Sequence, residues 1–171
     1  MALDLTILVG TMTGTSQLVA QEIELTLDDG ETRVRTLEMD RLDATVFAAG
    51  GIHLICTSTY GQGDVPDNAK AFYDALAASR PDLSALRYGV FALGDRTYGD
   101  TFCFGGKKFD TLLAELGAQR IGDMLLHDAS AGTMPEEVAL DWVRDWIKLC
   151  KAGIAGGAGA GVSNNGEVFA G

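Results

Sequence analysis

Two glycines and four hydroxyl side chains lie close together near the start of the sequence, in the segment Gly10-Thr11-Met12-Thr13-Gly14-Thr15-Ser16. An apolar run precedes this segment and an amphipathic pattern follows it, which predicts a strand, a turn and the start of a helix. The first backbone N–H groups of a helix have no acceptor within the helix and lie at the positive end of its dipole. Such a turn can hold a phosphate group. An ordinary helix N-cap is the alternative explanation for the hydroxyls.

The residues around this turn also restrict the kind of phosphate group that it can bind. No lysine or arginine occurs before Arg33, whereas the phosphate loop of a triphosphatase ends in Gly-Lys-Ser/Thr and uses that lysine. The Gly-x-Gly-x-x-Gly pattern of dinucleotide-binding domains is also missing. The segment therefore favours one terminal monophosphate that is held by neutral groups.

Two further loops combine glycines, hydroxyls and one tyrosine each, and both follow strand-length apolar runs. They read Ser58-Thr59-Tyr60-Gly61-Gln62-Gly63-Asp64-Val65-Pro66-Asp67-Asn68 and Gly94-Asp95-Arg96-Thr97-Tyr98-Gly99-Asp100-Thr101-Phe102-Cys103-Phe104-Gly105-Gly106. A flat heteroaromatic ring could stack between Tyr60 and Tyr98, while backbone groups at the glycines contact its polar edge. A phosphate and a flat ring, without a base, nucleophile or metal set, describe flavin mononucleotide (FMN). For either tyrosine alone, a half-buried surface position is the simpler explanation.

Apolar runs alternate with helical patterns along the chain, which is typical of a parallel sheet covered on both faces. The predicted strands cover residues 4–9, 32–36, 52–57, 88–93 and 118–126, and the predicted helices cover 15–28, about 68–80, 109–116 and 135–150. Asp67 or Asn68 is expected to cap the second helix. Ligands of such sheets bind at the carboxyl ends of the strands, where all three loops lie.

Several other residue types with possible chemistry are better explained by packing. His53 and Cys56 fall in a predicted strand without a second ligand at metal spacing, so we expect them to be packed residues. Trp142 and Trp146 recur at helical spacing and are expected to anchor the core.

Composition indicates one soluble domain. The chain has 171 residues and a net charge of −11, and this charge disfavours contact with nucleic acid or anionic membranes. Its three cysteines are widely spaced, which favours a reducing cytoplasm. Neither a signal peptide nor a membrane span is predicted. The acidic surface serves either solubility or docking to a basic partner.

The end of the chain has a different composition. Residues 153–171 contain seven glycines and one charged residue, Glu167. We divide the sequence into a binding domain at 1–151 and a glycine-rich tail at 152–171. The tail is expected to be disordered, a linker to a further domain, or a non-native extension.

Three motifs resemble those of the flavodoxin family, both in their order along the chain and in their place relative to the predicted strands. They are Thr11-Met12-Thr13-Gly14-Thr15, Thr57-Ser58-Thr59-Tyr60-Gly61-Gln62-Gly63-Asp64, and Leu93-Gly94-Asp95 through Tyr98 to Cys103. The resemblance covers about residues 3–150 and is nearest to MioC-like flavodoxins, cindoxin-like partners of P450 enzymes and the FMN domains of diflavin reductases. It implies an α/β fold with a doubly wound, five-stranded parallel sheet of order 2-1-3-4-5 and helices on both faces. The missing insertion within residues 118–126 resembles the short-chain type.

The resemblance also implies roles for individual residues. The residues that would bind the phosphate are Thr11, Met12, Thr13, Gly14, Thr15 and Ser16. Tyr60 and Tyr98 would stack on the two faces of the flavin ring. Gly61 would turn its peptide over to receive the proton at flavin N5. The flavin-binding set is completed by Thr57, Ser58, Thr59, Gly63, Leu93, Gly94, Asp95, Phe102 and Cys103. Two positions depart from the pattern: Gln62 replaces a frequent glutamate, and Asp128 matches an acidic position too loosely to be included.

The function implied by this resemblance is one-electron transfer by a monomeric FMN protein. Its partners would be basic-faced redox proteins, namely a flavodoxin reductase and an acceptor such as a P450, iron–sulfur or cobalamin enzyme. An NAD(P)H-dependent quinone reductase, the FMN domain of a larger diflavin reductase and a cofactor-free interaction module remain alternatives. A phospho-accepting receiver domain fits poorly, because it needs an acidic pair where this chain has Gly10-Thr11.

Overall fold

A computed structural model describes residues 3–12, 14–49, 51–60, 63–156 and 167–170, without the side chains of 49, 98, 100, 154–156 and 167–170. The strands are β1 (Leu3–Gly10), β2 (Thr32–Glu38), β3 (Ile52–Thr57), β4 (Arg87–Gly94), β5 (Gln119–Arg120), β6 (Met124–Asp128) and β7 (Glu167–Ala170). The helices are α1 (Thr15–Leu27), α2 (Asp67–Ser79), α3 (Phe104–Glu115) and α4 (Pro135–Gly156). Short 3₁₀ helices cover Met39–Arg41, Ala44–Ala49, Arg96–Thr101 and Ala129–Ala131.

The strands form one parallel sheet in the order β2-β1-β3-β4-β6-β7, with β5 also paired to β4. The predicted order 2-1-3-4-5 is confirmed, because β5 and β6 share the fifth position. Gly122 separates them with a φ of +68°, a left-handed conformation that glycine adopts without a Cβ penalty. The Trp146 Nε1–H group donates to the Ile121 carbonyl at 2.8 Å in this break.

Apolar side chains cover both faces of the sheet. One core layer contains Phe72 and Phe109 from α2 and α3, and the other contains Val19 and Trp146 from α1 and α4. Trp146 is 2% exposed, which confirms its predicted place in the core. Its ring explains the glycine at position 89, since a Cβ there would lie 2.5 Å from the indole.

Two predicted boundaries differ from the structure. Helix α3 begins at Phe104, although its glycines suggested a loop. A Cβ on Gly105 would lie 2.2 Å from the Ser58 carbonyl oxygen, so glycine permits the helix to pack closely against the end of β3. Helix α4 continues to Gly156 and residues 167–170 form strand β7. The boundary predicted at residue 151 thus lies inside α4, and the rest of the tail, residues 157–166 and 171, lies outside the described residues.

Both histidines of the chain are buried in the structure. His53 lies against the Phe47 ring, with Nε2 3.4 Å from the Val46 carbonyl oxygen. His127 lies on β6, with Nε2 3.1 Å from Thr133 Oγ1. Burial lowers the pKa of both imidazoles below the usual value, because it disfavours the charged form.

This burial predicts that stability falls between pH 7 and pH 5. The folded state resists protonation, whereas the unfolded imidazoles take up protons near pH 6.5, so the free energy of unfolding decreases as the pH falls. Each histidine contributes a slope of at most about 1.4 kcal/mol per pH unit. Urea denaturation at pH 7, 6 and 5 should show that slope in the natural chain and lose most of it in His53→Gln/His127→Gln. Equal slopes in both proteins would contradict the prediction.

Candidate functional site

The three loops singled out in the sequence begin at the carboxyl ends of β1, β3 and β4, which are adjacent strands of the sheet. The chain leaves β1 toward β2 on one side and later returns to β3 on the other side. This reversal of winding opens a crevice at the carboxyl edge. The loops therefore meet at the position where an open α/β sheet holds its ligand.

The first loop forms an anion seat at the start of α1. Gly14 is the N-cap residue, with a φ of +93°, and its N–H donates to Thr11 Oγ1 at 2.8 Å. Because Gly14 has no side chain, the hydroxyls do not act as a cap at this position. The Ser16 hydroxyl is fully buried, and among the residues that the structure describes it has no hydrogen-bond partner. A buried hydroxyl without a partner is costly, and at a helix N-terminus a bound phosphate would satisfy it.

Asn68 holds this loop from the neighbouring helix. Its Oδ1 accepts from the Thr11 N–H at 2.7 Å, and its Nδ2 donates to the Val9 carbonyl at 3.2 Å. The predicted capping role is wrong, since Pro66 is the N-cap of α2 and no side chain caps the helix. Asn68 is a positioning residue that sequence reasoning missed. Its polar side chain, two positions after Pro66, was interpreted as the cap of α2.

Replacing Asn68 by alanine should weaken phosphate binding and also destabilise the empty protein. The Thr11 N–H would lose its acceptor, which costs about 1–2 kcal/mol when the group is partly buried. We expect a lower urea midpoint and roughly tenfold weaker FMN binding, measured by fluorescence quenching of the flavin. Asp74→Asn on the exposed side of α2 is the matched control. An unchanged affinity in Asn68→Ala would remove this residue from the site.

Thr59 joins the second loop to the third. Its hydroxyl donates to the Leu93 carbonyl at 3.1 Å and accepts from the Gly105 N–H at 3.0 Å. The adjacent Ser58 N–H donates to the Gly10 carbonyl at 3.0 Å. All three loops are thus linked through residues 58 and 59. Tyr60, with 46% of its surface exposed, is left accessible for stacking.

The third loop turns sharply after β4. Asp95 caps the 3₁₀ helix by accepting from the Thr97 N–H at 2.8 Å. Cys103 has a φ of +57°, and its Sγ lies 3.5 Å from the Ala92 carbonyl oxygen. Gly94 permits this approach, because a Cβ there would lie 2.6 Å from the Cys103 nitrogen. Burial raises the pKa of the Cys103 thiol to about 12, so the thiol is protonated at neutral pH and supports the loop by packing.

Asp128 braces the third loop from the end of β6. Its Oδ1 accepts from the Arg96 N–H at 3.0 Å and from the Ser130 N–H at 2.9 Å. Burial opposes its ionisation, but these hydrogen bonds hold the pKa of the carboxyl below its usual value. The sequence-based set omitted Asp128, although it follows the fifth predicted strand at the same edge as the loops.

Opposite charges meet beside the second loop. The Asp64 carboxylate lies 3.4 Å from Lys108 Nζ and 4.0 Å from Lys70 Nζ. The Val65 N–H donates to Asp64, which lowers the pKa of its carboxyl together with the two cations. The rim of the crevice thus carries both signs of charge.

Three residues of the predicted set cannot be placed in full. Thr13 and Gly61 lie outside the described residues, and Tyr98 is described only by its backbone, within the 3₁₀ helix Arg96–Thr101. Stacking between two tyrosines therefore stays a prediction. Thr57 and Leu93, near the carboxyl ends of β3 and β4, and Phe102 of the third loop are buried. Gly63, with a φ of +106°, packs against Phe104.

In the described part of the chain, no group of three or more His, Cys, Asp or Glu residues is arranged to hold a metal ion. No helix there has both the length and the apolar composition needed to cross a membrane.

The model of the flavodoxin family matches residues 7–142. The chain belongs to the flavodoxin family.

This flavodoxin is 42% identical over 146 residues to flavodoxin YqcA of Pectobacterium carotovorum subsp. carotovorum, which covers 85% of this chain and 96% of that protein. Protein MioC of Escherichia coli O157:H7 is 36% identical over 148 residues, covering 86% and 99%. A cysteine-to-alanine mutant of flavodoxin from Pseudomonas aeruginosa has a similar structure, with a TM-score of 0.78 at 33% identity over 87% of this chain and 99% of that one.

A longer relative aligns beyond the sheet. The sulfite reductase [NADPH] flavoprotein alpha-component of Bacillus subtilis is 35% identical over 168 residues, which cover 96% of this flavodoxin and 27% of that protein. The alignment confirms the resemblance to diflavin reductases that the loop motifs indicated.

Flavodoxins bind FMN, and the residues of this flavodoxin fit its phosphate. The buried Ser16 hydroxyl has no partner among the residues described, and the first N–H groups of α1 lie beside it at the positive end of the helix dipole. Neutral donors of this kind suit one terminal phosphate.

Proposed function

We propose that this protein binds FMN at the carboxyl edge of its sheet and carries single electrons from a reductase to an acceptor enzyme. The observation that carries the proposal is the Ser16 hydroxyl at the start of α1, which is buried and has no hydrogen-bond partner within the described part of the chain. The second and third loops lie at the same edge and are joined by Thr59. Family membership supports the choice of FMN over other monophosphates.

Different residues would bind the phosphate and the ring of FMN. Ser16 and the first N–H groups of α1 would hold the phosphate, with Thr11 and Asn68 keeping the loop in place. Tyr60 would cover one face of the ring and Tyr98 the other, and Gly61 would accommodate the proton at N5 through its peptide. FMN supplies the one-electron redox chemistry when it is bound. The protein sets which atoms of the ring are accessible.

The proposed partners are basic-faced redox proteins. The net charge of −11 favours encounter with a positively charged surface, and a monomeric carrier leaves the crevice free for reductase and acceptor in turn. A P450 is one suitable acceptor. If docking is electrostatic, the rate of electron transfer should fall as the salt concentration rises.

A visible spectrum followed by stepwise photoreduction tests this function. The purified protein should take up FMN tightly, and partial reduction should produce the long-wavelength band of a neutral one-electron-reduced flavin. Bound flavin that is reduced directly by two electrons, together with turnover of NADPH and a quinone, would favour the quinone reductase alternative. Failure to bind FMN at micromolar concentration would overturn the proposal.

A second candidate is the FMN domain of a larger reductase. The alignment with the Bacillus subtilis flavoprotein favours it, because 168 aligned residues extend into the tail of this chain. Sequencing the natural reading frame decides between the candidates. A reductase domain encoded after residue 171 would replace the separate reductase by an intramolecular one.

A further inference from the structure

His127, near the carboxyl end of β6, carries a buried nitrogen that no hydrogen bond satisfies. The residue is 2% exposed. Its Nε2 lies 3.1 Å from Thr133 Oγ1, whereas Nδ1 is buried and has no hydrogen-bond partner among the described residues. When the neutral ring carries its proton on Nε2 and donates to Thr133, Nδ1 is left as an acceptor. A buried acceptor without a donor is costly.

A second acceptor of this kind acts on the same ring. Glu136 lies in the first turn of α4, and its Oε2 is buried without a hydrogen-bond partner in the described part of the chain. A helix N-terminus stabilises a carboxylate in its charged form, and this charge favours a proton on the imidazole. Two acceptors cannot satisfy each other. One proton on Nδ1 of His127 would supply both the donor and the positive charge that the carboxylate can accept.

The groups around His127 oppose the effect of burial. Burial lowers the pKa of the imidazole, while the contact with Thr133 and the carboxylates of Asp128 and Glu136 raise it. Burial is the larger effect in the flavin-free protein, so the ring is mostly neutral at pH 7. Arg96 of the third loop faces Asp128, with Nε 3.6 Å from Oδ2. An additional negative charge nearby would shift this balance toward the protonated ring.

The flavin crevice is where such a charge would develop, and His127 lies directly behind its third loop. The Cα of His127 is paired in register with that of Leu93, the last residue before the loop, and neighbouring strands are about 5 Å apart. The His127 carbonyl oxygen lies 3.6 Å from Cys103 Sγ, and the thiol is protonated at neutral pH because burial raises its pKa. The next residue, Asp128, accepts from the Arg96 N–H. Protein rather than water therefore separates the imidazole from the loop.

We propose that His127 takes up one proton at Nδ1, and donates it in a hydrogen bond to Glu136, when bound FMN receives its second electron. This inference rests on the proposed function and adds a proton site outside the flavin. The first electron would be matched by the proton at flavin N5, whereas the second leaves a negative charge on the ring. The electron comes from the external donor and stays on the flavin. The proton comes from water and forms the Nδ1–H bond, and both leave on reoxidation.

The other histidine of the chain is a matched internal control. His53 is also buried, and its Nδ1 likewise has no partner within the described residues. It is paired in register with Thr6 and Tyr88 and lies four residues before Thr57, the last residue of β3. That separation is about 13 Å along the strand. A charge in the crevice should therefore leave the proton affinity of His53 unchanged.

Proton NMR titration of the two imidazoles between pH 5 and 8 tests the proposal in the natural chain. The oxidised and the fully photoreduced FMN complexes are compared, and His53→Gln and His127→Gln assign the signals. The proton affinity of His127 should be about tenfold higher or more in the reduced complex, and that of His53 should be the same in both. An equal affinity of His127 in the two complexes would overturn the proposal.

The same coupling must appear in the potential of the second reduction step, because linkage between two binding events is reciprocal. As the pH rises through the titration of His127, the potential should fall by about 59 mV, the one-electron equivalent of a tenfold change. His53→Gln should keep this dependence and His127→Gln should lose it. If His127→Gln kept it, the proton would bind elsewhere, the flavin ring included, and the assignment to His127 would be wrong.

Glu136→Gln tests the pair without flavin. Loss of the carboxylate should lower the proton affinity of His127 several-fold in the flavin-free protein, whereas Glu137→Gln, at an exposed position of the same turn, should have little effect. Equal affinities in the natural chain and in Glu136→Gln would contradict the pairing. A protein that bound no FMN would overturn the proposed function and this coupling with it. Bound FMN with an unchanged His127 would overturn the coupling alone.

Discussion

Ser16→Ala is expected to weaken FMN binding by about tenfold or more and to leave the empty protein at least as stable as before. The hydroxyl is buried and no described residue forms a hydrogen bond with it, so its removal relieves the cost of an unsatisfied polar group. In the complex the same hydroxyl would donate to a phosphate oxygen. Hydrogen bonds to charged groups contribute about 1.5–3 kcal/mol, which corresponds to a tenfold to hundredfold change in affinity.

Riboflavin separates this role from a general change in the site. It has the ring of FMN but lacks the phosphate, so Ser16→Ala should leave its affinity unchanged. Isothermal titration gives the affinities for FMN and for riboflavin, and urea denaturation gives the stability of the flavin-free protein. A parallel loss of both affinities, or a clear loss of stability without flavin, would show that Ser16 is a packing residue.

Asn68→Ala is expected to lower the stability of the flavin-free protein, whereas Ser16→Ala is expected to maintain or raise it. Asn68 forms hydrogen bonds with Thr11 and Val9, so its removal costs stability first and affinity as a consequence. The Ser16 hydroxyl has no partner among the described residues, so its removal costs affinity alone. The two variants thus distinguish a residue that shapes the loop from one that would bind the phosphate.

Local patterns predicted the sheet and the position of the crevice. Apart from the exposed Asp4, the apolar runs at residues 4–9 and 52–57 are buried on both faces, and such strands are recognisable without knowledge of their neighbours. Alternation with helices then determines a parallel sheet and places the three loops at one edge. Ser16 lies in the first of these loops and Thr59 in the second, and the resemblance to flavodoxins is what assigns both to the site.

Contacts between distant segments could not be predicted in the same way. Asn68 binds Thr11 across 57 positions, and Asp128 binds Arg96 across 32. Either side chain, considered locally, is an adequate helix cap or turn residue. Gly105 is a similar case, because its need for glycine arises from the Ser58 carbonyl of another loop. The roles of Asn68, Asp128 and Gly105 depend on contacts in the folded protein, which local sequence propensity does not encode.

The largest loss of stability is expected from Asp110→Ala, at the other end of the sheet. Asp110 on α3 accepts from Arg120 Nη1 at 2.9 Å and from the Tyr88 hydroxyl at 2.7 Å. The side chains of Arg120 and Asp110 are only 8% and 21% exposed. Removing one partner of a buried ion pair costs about 3–5 kcal/mol, because the remaining charge stays desolvated.

Glu115→Ala is the matched control on the same helix. Glu115 pairs with Arg80 at 3.6 Å, and both side chains are about half exposed, so water screens the pair and its loss should cost less than about 1 kcal/mol. Urea denaturation of the two flavin-free variants compares these values directly. Similar losses in both would contradict the desolvation argument.

Asp110→Ala should not change the affinity for FMN in the folded protein. Tyr88 and Arg120 pair near the amino ends of β4 and β5, whereas the flavin loops begin at the carboxyl ends. The buried ion pair therefore supports the fold from the edge opposite the crevice. If FMN affinity fell together with stability, the two edges would be coupled through β4, and the loops could not be treated as a site built on a rigid sheet.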